Sequence, residues 1–330
     1  MNIIFCLSNL FVPYTLTLIN RSNSKVLVYT DQEGMYKFFS ELSLPNVEVY
    51  FRKDLRIGRD LKSAKRILTI RNEVLDWLIQ KNPQQVYFFH NIFGSIENWV
   101  IKKLSTKSNV FHIPVFNEFP FEAVYNIKSA IGILKNLYVH GILTEPLWDG
   151  SRFIHRIPEK FFINNNINRL EIDIDEEYIN NVISTKFEFL NKEIVLLTGA
   201  VIGPCPIDKD EYITKINDLI NAIGKDRIIA KPHPRFQDRY GLEGELEVIP
   251  YYIPANMLYN IFNIFVGYDS SVLSEAADCN LKSVSTIDYI KSNSRLQVKN
   301  YKNYLINNSK SGNILFPKNI NELKYILKNN

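Results

Sequence analysis

Sulfur is scarce in this chain: its three cysteines, Cys6, Cys205 and Cys279, lie far apart and form no CxxC or Cys/His pair. That excludes a zinc site and a disulfide framework and fits a reducing cytoplasm. No stretch approaches the ~20 apolar residues of a membrane helix, so any membrane contact is expected to be peripheral. Long basic tracts are missing as well. The 39 basic and 35 acidic residues are mixed along the chain and give a formal charge of +4, so nucleic acid is not an expected partner. The small positive excess suits anionic small molecules or an anionic membrane surface. Met1-Asn2-Ile3-Ile4-Phe5-Cys6-Leu7-Ser8 has neither a basic flank nor a small-residue cleavage site, and Asn9 and Pro13 soon interrupt it. It reads as a buried strand and not as a signal peptide. No internal repeat is legible.

What is present describes a folded protein: 46% hydrophobic and 22% charged residues over 330 positions, a length that predicts two domains. Short apolar runs alternate with longer helix-like segments, the pattern of an α/β protein with parallel sheets. Strands are expected at Asn2–Leu7, Ser24–Tyr29, Val47–Phe51, Gln85–Phe89, Asn109–Val115 and Asn136–Val139, with the clearest helix at Asp60–Gln80. A polar stretch, Asn164 to Asn168, and the acidic Glu171–Glu177 then read as a connection, giving an amino-terminal domain over 1–165 and a second over 166–330. There the rhythm restarts, with strands at Glu193–Leu197, Arg227–Lys231, Glu247–Pro250, Ile264–Val266 and Lys282–Ser285 and helices at Glu211–Ile223 and Ser271–Asp278. Two such halves imply a central cleft, where ligands of this fold class bind.

Two segments carry most of the chemistry. Lys231-Pro232-His233-Pro234-Arg235 follows a strand directly, and strand carboxyl ends are where α/β folds present binding groups. The two prolines keep the histidine extended, and His233, Lys231 and Arg235 together suit a phosphate. Downstream, Gly267-Tyr268-Asp269-Ser270-Ser271 closes a strand and opens a helix, which would gather hydroxyls and free N–H groups at a helix start. Plain capping by Asp269 or Ser270 is the competing reading. Thr198-Gly199 ends the first strand of the second half, where a glycine lets a nucleotide approach the backbone.

His233-Pro234 followed by Ser270-Ser271 resembles the HP and SS motifs of the bacterial sialyltransferases, most closely glycosyltransferase family 52, the lipooligosaccharide sialyltransferases. Between them, Ile253-Pro254-Ala255-Asn256-Met257-Leu258 resembles the family's I-P-x-E-x-L stretch, with Asn256 in the place of the acid that holds the ribose. The family's acidic motif, which supplies the catalytic base, has no clean match. Val115-Phe116-Asn117-Glu118-Phe119 occupies a comparable place, Asp31-Gln32-Glu33-Gly34 is closer in spelling but early, and Asp208-Lys209-Asp210-Glu211 offers a third acidic loop.

The resemblance implies a GT-B architecture, two Rossmann-like domains facing a central cleft. It further implies an inverting transferase that moves sialic acid, or a related nonulosonic acid, from its CMP-activated donor onto a cell-surface glycan of the lipooligosaccharide or capsule type. Glu118, or else Asp208 or Asp210, would be the base and His233 would meet the leaving phosphate. Thr198, Gly199, Lys231, Pro234, Arg235, Pro254, Asn256, Ser270 and Ser271 would line the donor site. A UDP- or CDP-linked donor, or a binding protein without activity, are the alternatives. Asp173-Ile174-Asp175 and Asp208-Lys209-Asp210 match the loose DxD pattern, but such triplets are common by chance, so neither a metal nor any other cofactor is expected.

Overall fold

The computed structural model describes residues 1–53, 61–89, 95–115, 123–148, 153–187, 192–198, 207–233, 246–292 and 295–328. The chain forms two compact units, Met1–Tyr178 and Ile179–Asn330. In the first, β1 (Asn2–Phe5), α1 (Val12–Arg21), β2 (Val26–Thr30), α2 (Glu33–Leu42), β3 (Val47–Phe51) and α3 (Leu61–Gln80) are followed by β4 (Gln85–Phe88), α4 (Ser95–Leu104) and β5 (Asn109–His112). Then come α5 (Ile127–His140), the antiparallel hairpin β6 (Glu145–Trp148) and β7 (Phe153–Arg156), α6 (Glu159–Asn164) and β8 (Asn168–Arg169). The helix α7 (Glu176–Lys186) crosses the division between the units.

The second unit holds β9 (Ile194–Leu197), α8 (Lys209–Ile223), β10 (Ile228–Lys231), β11 (Glu247–Val248), β12 (Ile264–Gly267) and α9 (Val272–Asp278). It ends with β13 (Lys282–Ser285), α10 (Arg295–Asn307), β14 (Ile314–Leu315) and α11 (Ile320–Lys328).

Each unit is built on one six-stranded parallel sheet, ordered β3-β2-β1-β4-β5-β8 in the first and β11-β10-β9-β12-β13-β14 in the second. Both orders are those of the Rossmann fold, in which the chain winds outward from a central strand, returns, and winds the other way. Two Rossmann-like units in one chain are the components of the GT-B architecture. The central strands are continuous apolar runs, such as Ile194-Val195-Leu196-Leu197, because helices cover both sheet faces. Tyr212, Ile216, Leu219 and Ile220 on one stripe of α8 pack on Ile194, Leu196, Ile228 and Val266. Ile3, Phe5, Leu27, Val86, Phe88 and Val110 form the corresponding core of the first sheet.

One expected strand is absent. Asn136–Val139 lies inside α5, which starts at a reciprocal cap between Asn126 and Ser129 and ends where Gly141 turns left-handed (φ 61°). A three-residue apolar run, Leu137 to Val139, does not distinguish strand from helix, and here the flanking caps decide for helix. The polar stretch around Asn168 is also put to use: Asn168 and Arg169 pair with Phe111 and His112 as the outer strand of the first sheet. No described helix is long and apolar enough to cross a membrane.

Candidate functional site

In the second sheet the order of winding reverses between β9 and β12, and the carboxyl ends of β10, β9 and β12 lie side by side there. Neighbouring crossover connections leave this edge in opposite directions, so their helices do not cover it. The backbone N–H of Thr198 donates to the carbonyl of Lys231 at 3.1 Å, which fixes these two residues next to each other. On the other side, Gly267 ends β12 against Leu197: a Cβ there would come within 3.2 Å of the leucine Cβ. A larger residue there would crowd the Leu197 side chain. Behind it, Ser285 and Thr286 donate to the carbonyls of Tyr268 (2.7 Å) and Gly267 (3.3 Å) and hold the strand end in place.

Two polar groups at this edge are buried with unused capacity. Thr198 is 7% exposed, and its hydroxyl has no hydrogen-bond partner among the described residues. Lys231 is 3% exposed, and its ammonium donates to the carbonyls of Pro232 (2.6 Å) and Tyr251 (3.2 Å). The third N–H of that ammonium has no acceptor among the described residues. Burial pulls the Lys231 pKa down from 10.5 to about 7, and no carboxylate of the described residues opposes the shift. Among the described residues the buried amine has no counter-ion and the buried hydroxyl no partner; both are costly in isolation, and an anion would satisfy both.

The Ser-Ser segment follows β12. Ser271 occupies the cap position of α9 but makes no side-chain capping bond, and only the carbonyls of Ser270 and Ser271 are engaged, by Leu273 and Ser274 (both 3.1 Å). Both hydroxyls are partly exposed and uncommitted among the described residues. Pro254 and Asn256 belong to the 3-10 turn Ala255–Leu258, with Pro254 buried at its start. Tyr259, at the end of that turn, places its hydroxyl 3.1 Å from Glu275 Oε2 and 3.3 Å from the Val272 carbonyl, tying the turn to α9. Burial pushes the Glu275 carboxyl up to about 7, against the opposing effect of the Tyr259 hydrogen bond. This pair was not foreseen. A single acid at the fourth helical position after Ser271, among Val272, Leu273, Ala276 and Ala277, was its only trace in the sequence.

His233 is exposed, two residues beyond Lys231. Asp208 is the cap of α8: its carboxylate accepts from the backbone N–H groups of Asp210 and Glu211, each at 3.0 Å. Asp210 is exposed in the first turn of that helix. Thr198, Lys231, Ser270 and Ser271 thus share one sheet edge, whereas Asp208 and Asp210 serve a helix start. Gly199, Pro234, Arg235 and Glu118 lie outside the described residues.

In the first unit, Asp31 sits at the carboxyl end of β2 in a buried cluster. Arg52 Nη2 lies 2.7 Å from Glu97 Oε1 and 3.7 Å from Asp31 Oδ2, and Arg52 Nε lies 2.8 Å from the Tyr29 hydroxyl. Asp31 is therefore engaged by a cation and the Gln32-Glu33 pair opens α2.

No protein-family model and no curated relative matches this chain. Solved structures do resemble it in layout. The UDP-GlcNAc 2-epimerase of Methanocaldococcus jannaschii, in complex with UDP-GlcNAc and UDP, is 17% identical with a TM-score of 0.49, covering 100% of this chain and 94% of its own. The UDP-GlcNAc 2-epimerase of Neisseria meningitidis, bound to UDP-GlcNAc, is 13% identical with a TM-score of 0.46, covering 99% and 98%. The spinosyn rhamnosyltransferase SpnG, complexed with thymidine diphosphate, is 8% identical with a TM-score of 0.45, covering 99% and 91%.

Proposed function

We propose that the β10-β9-β12 edge binds the phosphate of a nucleotide sugar and that the chain is a glycosyltransferase. The observation that carries this reading is the adjacency of Thr198 and Lys231 at the switch point: among the described residues the buried Thr198 hydroxyl has no partner, and the buried Lys231 amine donates to two carbonyls and faces no carboxylate. The partly exposed Ser270 and Ser271 hydroxyls add donors from the neighbouring strand end. The sequence resemblance directs the reading to a CMP-linked sialic acid or related nonulosonic acid, transferred with inversion to a cell-surface glycan on the cytoplasmic side of the membrane. A monophosphate leaving group and a donor carrying its own carboxylate make one cation and a set of hydroxyls sufficient, without a metal.

In this scheme the acceptor hydroxyl attacks the anomeric carbon while the bond from that carbon to the phosphate oxygen breaks. Glu118 takes the acceptor proton, and His233, two residues from Lys231, donates to or protonates the departing CMP. Asp208 is committed to its helix cap, which counts against that acid as the base. Asn256 would contact the ribose by hydrogen bonding alone, and Pro254, Gly199, Pro234 and Arg235 would complete the donor site.

The test is turnover of CMP-sialic acid beside UDP-sugars, with and without EDTA, for wild type and His233→Ala. The account expects CMP-sialic acid to be consumed in the presence of EDTA, and the folded variant to lose at least ~100-fold in rate. Turnover of UDP-sugars alone, strict dependence on added metal, or a fully active His233→Ala would each overturn it.

A further inference from the structure

The helix α5 is built inside out. Its inner stripe carries the buried Ser129, Asn136 and His140 and the partly buried Gly132, small or polar residues at helical spacing. Each has a structural use. Ser129 closes the amino-terminal cap, Gly132 admits the His155 ring so closely that a Cβ would meet its Nε2 at 2.6 Å, and Asn136 donates to Thr144 at 3.2 Å. Thr144 in turn lies 3.0 Å from His155 Nδ1, and burial holds the His140 imidazole down to about 4 and so uncharged at neutral pH. These bonds fix the rotation of the helix about its axis.

The opposite stripe is apolar and faces water. Ile127 is 82% exposed, Ile131 62% and Tyr138 92%, with Leu134 between them in the same row. Leu137 lies on one flank, and Tyr125 and Leu143 extend the exposed apolar surface beyond the two helix ends. Lys128 and Lys135 line the other flank, Lys102 reaches the carboxyl end to donate to the Gly141 carbonyl at 2.8 Å, and α5 contains no acidic residue. A contiguous apolar face of this kind on a soluble chain marks an interaction surface.

We infer that α5 lies flat on an anionic lipid surface, with Ile127, Ile131, Leu134 and Tyr138 inserted among the acyl chains and Lys128 and Lys135 at headgroup level. Charge selects this occupant. In a symmetric contact between two copies the lysines would find no acid on the partner helix, whereas anionic headgroups supply the missing counter-charge. Fourteen residues make a rod of about 21 Å, long enough to insert two to three turns in the plane of the interface. The inference goes beyond the nucleotide reading and does not depend on it.

Co-sedimentation of the full chain with vesicles of phosphatidylglycerol and phosphatidylethanolamine, beside vesicles of phosphatidylcholine alone, tests it. Wild type should partition to the anionic vesicles, weaken as salt rises, and bind phosphatidylcholine poorly. Ile131→Glu with Leu134→Glu should abolish partitioning, and Lys128→Gln or Lys135→Gln should each weaken it about five-fold. All these positions are exposed, so an unchanged melting curve and circular dichroism spectrum should accompany the loss. Wild type that stays in solution with anionic vesicles at low salt, or a folded double-glutamate variant that binds like wild type, would overturn the inference. So would a concentration-dependent dimer, dissolved by the same substitutions, in a chain that ignores vesicles.

Discussion

Lys231 makes stability depend on pH in a direction that can be worked out in advance. Its folded pKa is near 7, below the ~10.4 of an exposed lysine, so between these limits the unfolded chain holds a proton that the native chain lacks. Native stability should therefore rise with pH across that window, by at most about 1.4 kcal/mol per pH unit, and the full penalty should be in force below pH 7. Lys231→Met keeps the length of the side chain and removes the titration. Its two carbonyl hydrogen bonds are lost at every pH, a constant offset that cancels in the comparison. Between pH 7.5 and 9, wild type should gain about 2 kcal/mol relative to Lys231→Met. Urea unfolding followed by far-UV circular dichroism is the suitable assay, because Trp77, Trp99 and Trp148 all lie in the first unit and tryptophan fluorescence would not report on the second. Parallel pH profiles for the two proteins would refute the reasoning and return Lys231 to an ordinary, solvated cation.

Other substitutions separate structural from functional roles. Thr198→Val replaces a buried, unpartnered hydroxyl with a methyl of the same shape, so stability should hold or rise while CMP affinity falls about 5–10-fold, read by thermal shift and titration. Ser270→Ala with Ser271→Ala removes no capping bond and should leave melting nearly unchanged while weakening CMP binding. Asp208→Ala should cost about 1 kcal/mol through the lost cap, whereas Asp208→Asn should keep both stability and transfer activity; an inactive but folded Asp208→Asn would make that acid the base. Glu97→Ala leaves the buried Arg52 without its closest partner and should destabilise the first unit by roughly 3–5 kcal/mol, seen in tryptophan fluorescence during urea unfolding.

The strands that pack both faces under helices, such as Ile194–Leu197 and Ile264–Gly267, were legible because their apolar runs are short and bounded by polar turns. From them followed the two parallel sheets and, at their carboxyl ends, the positions of Thr198, Lys231 and Ser270-Ser271. The helix α5 was misread at Asn136–Val139 for the opposite reason. Ile127, Ile131, Leu134 and Tyr138 face out while Ser129, Asn136 and His140 face in, so hydrophobicity there is a poor guide to the core. The hairpin of β6 and β7 also escaped notice: its pairs, such as Leu147 with Ile154, depend on partners across a loop and not on a local period. Of the candidate site, residue types and strand-end placement could be read in sequence. The unmatched Thr198 hydroxyl, the carbonyl partners of Lys231 and the bond from Tyr259 to Glu275 could not, since each joins segments that only the folded sheet brings together.

The most direct test of the phosphate site is calorimetric titration of CMP at pH 8 in two buffers of different ionisation enthalpy. With the Lys231 pKa pulled down to about 7, most of the free protein carries an uncharged amine there, and a phosphate beside it would restore the proton. The account predicts binding with net proton uptake in wild type, and weaker binding without that uptake in Lys231→Met. Absence of CMP binding, or binding of equal strength and equal proton balance in both proteins, would contradict it.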